Sequence, residues 1–156
     1  MSKEHRNIAT LRILYQDLTR IDEFADSAIV LHKADRGAGG GLSMAIGRRA
    51  ARDHELGLVE RTHQTLHMEV HDIIANDHFG TVLGTLHATC EGRAIGMPFC
   101  GLWRFREGSI VEHWENLYDA RTLAGFLMGD DAATYRGLVH ERGFVAQPVG
   151  ACAPDH

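Results

Sequence analysis

Three side chains in this sequence are suited to acid–base chemistry in a pocket, namely those of His32, His113 and Asp119. An imidazole titrates near pH 6.5 and can take up or release a proton close to neutral pH. A carboxyl group in apolar surroundings has a raised pKa, because burial disfavours its charged form. Structural roles compete with this interpretation. The segment 119–122 has the form of a helix N-cap, and a pocket histidine can hydrogen-bond without catalysing a reaction.

Six aromatic or apolar side chains are predicted to form the wall or floor of such a pocket. They are Tyr15, Phe24, Met97, Phe99, Trp103 and Trp114. Tryptophan is more often a core residue than a ligand contact, and its ring N–H needs a partner when buried. His113 and Asp119 have the same parity along the last strand, and Trp114 has the opposite one. This alternation leaves open which set points inward.

A row of possible metal ligands, His67, Glu69 and His71, occupies alternate positions of another strand. Imidazole and carboxylate suit zinc or iron. However, Leu66 and Met68 have the parity expected of core residues, so the row should point outward. We therefore predict no metal site and expect the row to lie on the outer sheet face, where a dimer interface is possible.

The elements that must position these residues begin with helices. Apolar residues recur at helical spacing over residues 8–24 and predict one amphipathic helix or two, with Asp22 as a possible cap of the second. The glycine-rich segment 36–41 lacks the spacing of a phosphate-binding motif and is interpreted as a flexible loop. Around it the sequence favours strands at 27–33 and 43–46, and then a helix at 48–60 anchored by Leu56 and Val59.

From residue 66 onward the apolar period changes to two, which is typical of strands. Four strands are predicted, at 66–75, 79–91, 94–106 and 109–118, joined by hairpin-like turns. A helix should begin near Asp119, and another is predicted at 132–142. Helices followed by a meander, without alternation of strand and helix, predict an α+β fold with a curved antiparallel sheet wrapped on N-terminal helices. Long strands containing glycine can bend into a half-barrel that closes an apolar cavity.

The bulk composition excludes several classes of function. The chain has 156 residues and a formal net charge of −5, without a basic run, which argues against binding to nucleic acid or to anionic membranes. We expect one domain over 1–156, with its core at about 8–129 and an extension at 130–156. The three cysteines lack disulfide or zinc spacing, and no signal peptide or membrane span is evident, so a cytoplasmic protein is expected.

The segment 102–114, LWRFREGSIVEHW, resembles the last hairpin of SnoaL-like proteins of the nuclear transport factor 2-like superfamily. These proteins carry an aromatic strand, an acidic-Gly turn, the residues Ile-Val-Glu-His-Trp and an aspartate a few positions later, which here is Asp119. Residues 24–30 and Gly47-Arg48 resemble the superfamily's first strand and the start of its third helix. The resemblance implies a cone-shaped α+β barrel with a deep pocket, commonly dimerising through the outer sheet face.

The resemblance also implies roles for the acid–base residues. SnoaL-type cyclases place the acidic residue that moves a proton where Asp119 stands, and His32 lies where ketosteroid isomerases have an aspartate base. We therefore predict a cofactor-independent cyclase or isomerase that abstracts a proton next to a carbonyl of a small, partly apolar molecule. Asp119 would move the proton, while His32 or His113 would stabilise the enolate. A non-catalytic domain that binds a small hydrophobic ligand and a dehydratase are the alternatives.

Overall fold

The computed structural model of the chain describes residues 2–36 and 43–129. Its helices are α1 (Arg6–Leu14), a 3-10 turn (Leu18–Arg20), α2 (Ile21–Phe24), α3 (Arg48–Arg61) and α4 (Ala120–Leu127). Its strands are β1 (Ala25–His32), β2 (Met44–Ile46), β3 (His67–Ala75), β4 (Phe79–Cys90), β5 (Arg93–Arg106) and β6 (Ser109–Trp114). The predicted helix at 132–142, the extension at 130–156 and most of the glycine-rich loop lie outside the described residues.

The six strands form one open sheet in the order β2-β1-β6-β5-β4-β3, with the N-terminal helices packed on it. The α+β class is therefore confirmed. The sheet is mixed rather than purely antiparallel, because β1 pairs with β6 in parallel while every other neighbour is antiparallel. In the sheet β6 lies between β5 and β1. The chain from β2 to β5 separates β1 from β6 in the sequence.

The predicted helical segment 8–24 is divided, because α1 ends at Leu14 and a new turn begins after Asp17. The Asp17 carboxylate accepts a hydrogen bond from the Thr19 backbone N–H at 3.0 Å and so caps the 3-10 turn. Asp22 was expected to provide such a cap, but its side chain lies 3.8 Å from Arg52 of α3 instead. The chain thereby changes direction and enters β1.

The sheet packs its concave face on α1 and α3 and buries an apolar core there. Leu11 and Leu14 of α1 and Ile29, Trp103 and Ile110 of the sheet are all fully buried. The strand register shifts between Val70 and Asp72 on β3 and between Arg104 and Phe105 on β5. Such bulges increase the local bend of a strand. None of the described helices is long and apolar enough to cross a membrane.

Glycine allows other groups to approach the sheet closely at two positions. A Cβ atom at Gly84 would overlap the Phe99 ring and the Glu69 carbonyl oxygen, and one at Gly101 would overlap the Tyr15 hydroxyl. Because glycine has no side chain, the Tyr15 ring can lie against the strand at the wall of the concave face.

Candidate active site

A cavity of about 270 Å³ lies between the concave sheet face and the helices. Most of its walls are apolar, and the polar side chains that line it lie directly after α1, in the turn after β1, on α3 and around the end of β6. The apolar lining includes Leu18, Leu58, Met68, Leu86, Phe99, Leu117, Leu123 and Leu127, and the polar or charged lining is formed by Tyr15, Lys33, Asp35, His54, Glu55, Arg61, His113, Glu115 and Asn116. The structure therefore contains the predicted apolar cavity, with a few polar groups that point into it.

Glu55 contributes a buried carboxyl group to this cavity. It lies on the buried face of α3, between Ala51 and Leu58, and is only 1% exposed. Its Oε2 atom has no hydrogen-bond partner. Burial, together with the nearby charge of Glu115, raises the pKa of Glu55 well above its usual range. Burial therefore favours the neutral carboxylic acid, which has an O–H available to donate.

Glu115 contributes a second carboxyl group whose ionisation is opposite. Burial would raise its pKa, but the hydrogen bond and charge of His54, followed by His113 and the Ala34 backbone N–H, lower that pKa below its usual value. His54 Nε2 lies 2.6 Å from Glu115 Oε1. The cavity thus contains a neutral acid and a carboxylate that influence each other electrostatically, which is an arrangement suited to acid–base catalysis.

His113 forms part of the cavity wall and is 3% exposed. Its ring stacks on Trp103 with centroids 3.4 Å apart, and its Nδ1 donates to the Leu102 carbonyl oxygen at 2.9 Å. Because a carbonyl only accepts, Nδ1 carries the hydrogen and the other ring nitrogen remains an acceptor. Burial lowers the pKa of His113 to about 4, so its ring is neutral at pH 7.

Tyr15 places a phenol in the same cavity. Its hydroxyl oxygen accepts from Trp103 Nε1 at 3.1 Å, and its ring stacks on Phe99 with centroids 5.5 Å apart. Burial raises the pKa of Tyr15, so the group stays a neutral phenol. Among the described residues no acceptor is recorded for the hydroxyl hydrogen, which is therefore available to a ligand.

Of the residues predicted from the sequence to form the site, His113, Tyr15 and Phe99 line the cavity. Trp103 lies behind the lining, where it supports both His113 and Tyr15. Met97 is fully buried in the core and is not part of the lining.

The other predicted site residues lie away from the cavity lining. Asp119 caps α4, because its Oδ1 accepts from the Thr122 backbone N–H at 3.0 Å. His32 and Trp114 stack with centroids 5.2 Å apart, and His32 Nε2 lies 2.7 Å from Glu112. Phe24 packs beneath the Arg20 guanidinium, 5.7 Å from its ring centroid. Each of these side chains already has a structural partner, although His32 is near enough to His113 to contribute to lowering its pKa.

His54, Glu55 and Glu115 were not identified from the sequence. A usable signal existed for Glu55, since Ala51, Glu55 and Leu58 share one helical face. Leu56 and Val59, the anchors predicted for this helix, are only partly buried. Glutamate is rarely buried on the apolar face of a helix, and Glu55 occurs there because it lines the cavity.

The row formed by His67, Glu69 and His71 is exposed, as its strand parity indicated. Glu69 Oε2 lies 2.8 Å from Nε2 of His87 on β4, and the rings of His67 and His87 are stacked. Over residues 2–36 and 43–129, no group of three or more His, Cys, Asp or Glu side chains has a geometry that could hold a metal ion.

Comparison with known proteins gives one family. The model of the SnoaL-like domain matches residues 11–113. Similar solved structures include IdmH from Streptomyces antibioticus, a proposed polyketide cyclase (20% identity, 80% of this chain and 99% of that chain, TM-score 0.62). Another is TerC co-crystallized with polyporic acid (17% identity, 80% of this chain and 99% of that chain, TM-score 0.64). A third is an NTF2-like protein from Anabaena variabilis (10% identity, 76% of this chain and 95% of that chain, TM-score 0.60). No curated protein sequence matches this chain significantly.

Proposed function

This chain belongs to the SnoaL-like domain family, and we propose that it is a cofactor-independent enzyme that moves a proton next to a carbonyl group of a small, partly apolar molecule. The observation that carries the proposal is the pair of buried carboxyl groups. One cavity holds Glu115 as a carboxylate and Glu55 as a neutral acid. Two like groups with opposite protonation at the same pH can serve as base and acid in one reaction.

In the proposed reaction, Glu115 takes the proton from the carbon next to the carbonyl. The C–H bond breaks, its electron pair shifts toward the carbonyl oxygen, and Glu115 becomes a carboxylic acid. The O–H groups of Glu55 and Tyr15 donate hydrogen bonds to the developing enolate oxygen, where negative charge is stabilised most effectively in a dry cavity. In a cyclase, the enolate carbon then bonds to a second carbonyl carbon, the electron pair of that C=O bond moves to its oxygen, and this oxygen takes the proton from Glu115, which becomes a carboxylate again. In an isomerase, the proton returns from Glu115 to another carbon instead.

This assignment gives Glu115 and Glu55 the roles that the sequence suggested for Asp119 and His32. In this proposal His113 does not stabilise the enolate, because its neutral ring donates its one N–H to the Leu102 carbonyl oxygen and keeps only an acceptor nitrogen. It forms part of the cavity wall. Tyr15 and Phe99 supply stacked aromatic surface against which an apolar substrate can pack.

The substrate class is proposed from the walls of the cavity. A volume of about 270 Å³ with mainly apolar lining suits a cyclic ketone or a polyketide-like intermediate. The similarity to IdmH and to TerC supports the same class.

The test is hydrogen exchange at carbon. Cyclic 1,3-diketones are incubated with the protein in D₂O, and loss of the C–H signal is followed by NMR. We expect exchange faster than in buffer, and a decrease of about a hundredfold or more in Glu115→Gln, since general base catalysis commonly contributes that much. The control is Glu112→Gln, because Glu112 pairs with His32 and Arg104 away from the cavity. Full exchange by a folded Glu115→Gln protein would refute the proposal.

A dehydratase is the second candidate, supported by the close pair of His54 and Glu115 inside the cavity. Such a pair could remove a proton while Glu55 protonates a departing hydroxyl group. Mass spectrometry of products from β-hydroxy ketones separates the two functions, because only a dehydratase forms the product that lacks one water. Binding of either probe without exchange or elimination would favour a non-catalytic ligand-binding domain.

The protein is further proposed to form a homodimer through the outer sheet face. Ile74, Phe79 and Leu83 are exposed there by 58%, 48% and 41%. Exposed apolar surface of this kind favours association. A cytoplasmic location is proposed as well, since Cys90 and Cys100 form no disulfide within residues 2–36 and 43–129.

A further inference from the structure

The guanidinium of Arg36 connects the end of β1 to the end of β6. Its Nη1 donates to the Lys33 carbonyl oxygen at 2.9 Å and to the Glu115 carbonyl oxygen at 2.7 Å. Its Nη2 donates to Asn116 Oδ1 at 2.7 Å. Arginine has a rigid planar fork of donors that stays charged, so one side chain can hold three acceptors in a fixed arrangement. Arg36 therefore joins the turn at residues 33–36 to the chain segment that carries Glu115.

The same turn also contacts the Glu115 side chain. The Ala34 backbone N–H donates to its carboxylate, and His54 contacts the same carboxylate from α3. The main chain of Glu115 is held as well, since its N–H donates to the His32 carbonyl oxygen at 3.0 Å. The regular strand ends at Trp114, and beyond it these contacts add to the backbone hydrogen bonds that join Asn116 and Tyr118 to β5.

We propose that Arg36 is a positioning residue of the proton-transfer site, which holds the 33–36 turn against Glu115 so that the Ala34 N–H stays on the carboxylate and the carboxylate stays aimed into the cavity. This inference rests on the proposed role of Glu115 as the base. Arg36 touches no reacting atom in this scheme. It acts on the carboxylate through the turn and through the Glu115 carbonyl.

The groups around the Glu115 carboxylate determine how its pKa would respond to the loss of Arg36. His54 and Glu55 approach from α3, His113 lies on β6, and Lys33 and Asp35 of the turn line the same cavity. If the turn moves away, the Ala34 N–H no longer offsets burial, and the pKa of Glu115 should rise. A charge effect alone would depend only on the cation, whereas a positioning effect requires the shape of the guanidinium.

The first measurement is the ¹³C NMR titration of the Glu115 carboxyl, assigned by its absence in Glu115→Gln. We expect a higher titration midpoint in Arg36→Gln and also in Arg36→Lys, because lysine keeps the charge but cannot reproduce the three contacts. Arg20→Gln is the control, since Arg20 pairs with Glu23 on the exposed surface. An unchanged midpoint in Arg36→Lys overturns the proposal, and this variant decides the question if Arg36→Gln fails to fold.

The second measurement is the rate of C–H exchange with a cyclic 1,3-diketone in D₂O. We expect kcat to fall about tenfold in Arg36→Gln with a smaller change in KM, since misplacing a catalytic group mainly affects the transition state. A raised midpoint with an unchanged kcat would overturn the positioning role. If the wild-type protein shows no exchange, the proposed function fails, whereas the NMR titration still decides whether Arg36 holds Glu115.

Discussion

At the scale of single residues, Glu55 and Glu115 show how surroundings divide two identical side chains into an acid and a base. Glu55 has an unpartnered oxygen in an apolar wall, while Glu115 receives hydrogen bonds from His54 and Ala34. Desolvation acts on both, but only Glu115 has partners that favour its charge. The difference in protonation therefore follows from hydrogen bonding rather than from depth of burial.

The raised pKa of Glu55 should make the stability of the protein depend on pH. In the folded protein its pKa lies above the unfolded value of about 4.5, so its stabilising effect is full below that value and is lost as pH rises through the folded pKa. Glu55→Gln removes this loss. We expect the Tm of the variant, relative to that of the wild type, to increase from pH 5 to pH 8 in thermal scans.

Glu60→Gln is the matched control, because Glu60 lies exposed on the same helix. Parallel Tm curves for Glu55→Gln and wild type across this range would show that Glu55 is ionised in the folded protein.

His113 should affect stability in the opposite direction. Its folded pKa of about 4 lies below the unfolded value of 6.5, so stability is full above pH 6.5 and decreases as pH falls toward 4. The loss should reach about 3 kcal/mol, since each pKa unit corresponds to about 1.4 kcal/mol. In urea unfolding, His113→Gln should flatten this dependence, whereas the exposed His78→Gln should retain it. A wild-type stability that does not change between these pH values would contradict the assignment.

Residue types and spacing identified part of this site. His113, Tyr15 and Phe99 were predicted, because a strand motif and aromatic side chains mark them locally. Glu55 and Glu115 are far apart in the chain, and their pairing depends on how α3 crosses the end of β6. No local pattern encodes that encounter, so a sequence reading can at best notice that Glu55 lies on an otherwise apolar helical face.

At the scale of elements, α4 is an example of a helix whose start is fixed by one side chain. Asp119 accepts a hydrogen bond from the Thr122 backbone N–H, which the helix cannot satisfy by itself. Asp119 therefore has a structural role as the N-cap of α4.

We expect Asp119→Ala to lower the free energy of unfolding by about 1 kcal/mol, whereas Asp119→Asn should change it little because asparagine is also a good cap. Both variants should retain diketone exchange in D₂O, provided that they are folded. An Asp119→Asn protein with wild-type Tm and abolished exchange would instead identify Asp119 as the proton-transfer residue. Chemical denaturation and the exchange assay together distinguish these outcomes.

The ends of a strand were predictable where the alternation of apolar and polar residues stops at a recognisable turn. The strands predicted at 66–75, 79–91 and 94–106 correspond to β3, β4 and β5 within a residue at each end. The strand predicted at 109–118 ends at Trp114, because beyond it the ladder is replaced by contacts such as that between Cys100 N and Asn116 O. Tertiary hydrogen bonds of this kind leave no periodic signal.

At the scale of the whole molecule, the two faces of the curved sheet have different surroundings. The concave face forms the cavity, and the convex face exposes apolar side chains of β3 and β4. The fold class was predictable because helices precede a meander, whereas the parallel pairing of β1 with β6 is a long-range contact that sequence patterns do not specify.

If the convex face is a dimer interface, charge placed there should separate the subunits. We expect the wild-type protein to show twice the chain mass in size-exclusion chromatography with light scattering, and Leu83→Lys to show the mass of one chain. Burying an unpaired ammonium group in an interface is strongly unfavourable. Ile13→Lys on α1 is the control and should remain dimeric. A dimeric Leu83→Lys protein would place the interface elsewhere.

The parallel contact between β1 and β6 has a consequence for the order in which the molecule folds. The hairpins of β3 to β6 close through short turns, whereas β1 must find its neighbour across most of the described chain, and closing so long a loop costs entropy before contacts compensate for it. Since the last residue of β1 supplies the carbonyl that receives the Glu115 N–H, the carboxylate proposed as the base is in place only after that late encounter. If the proposed function holds, a chain in which β1 has not yet paired with β6 should have a folded meander but no exchange activity.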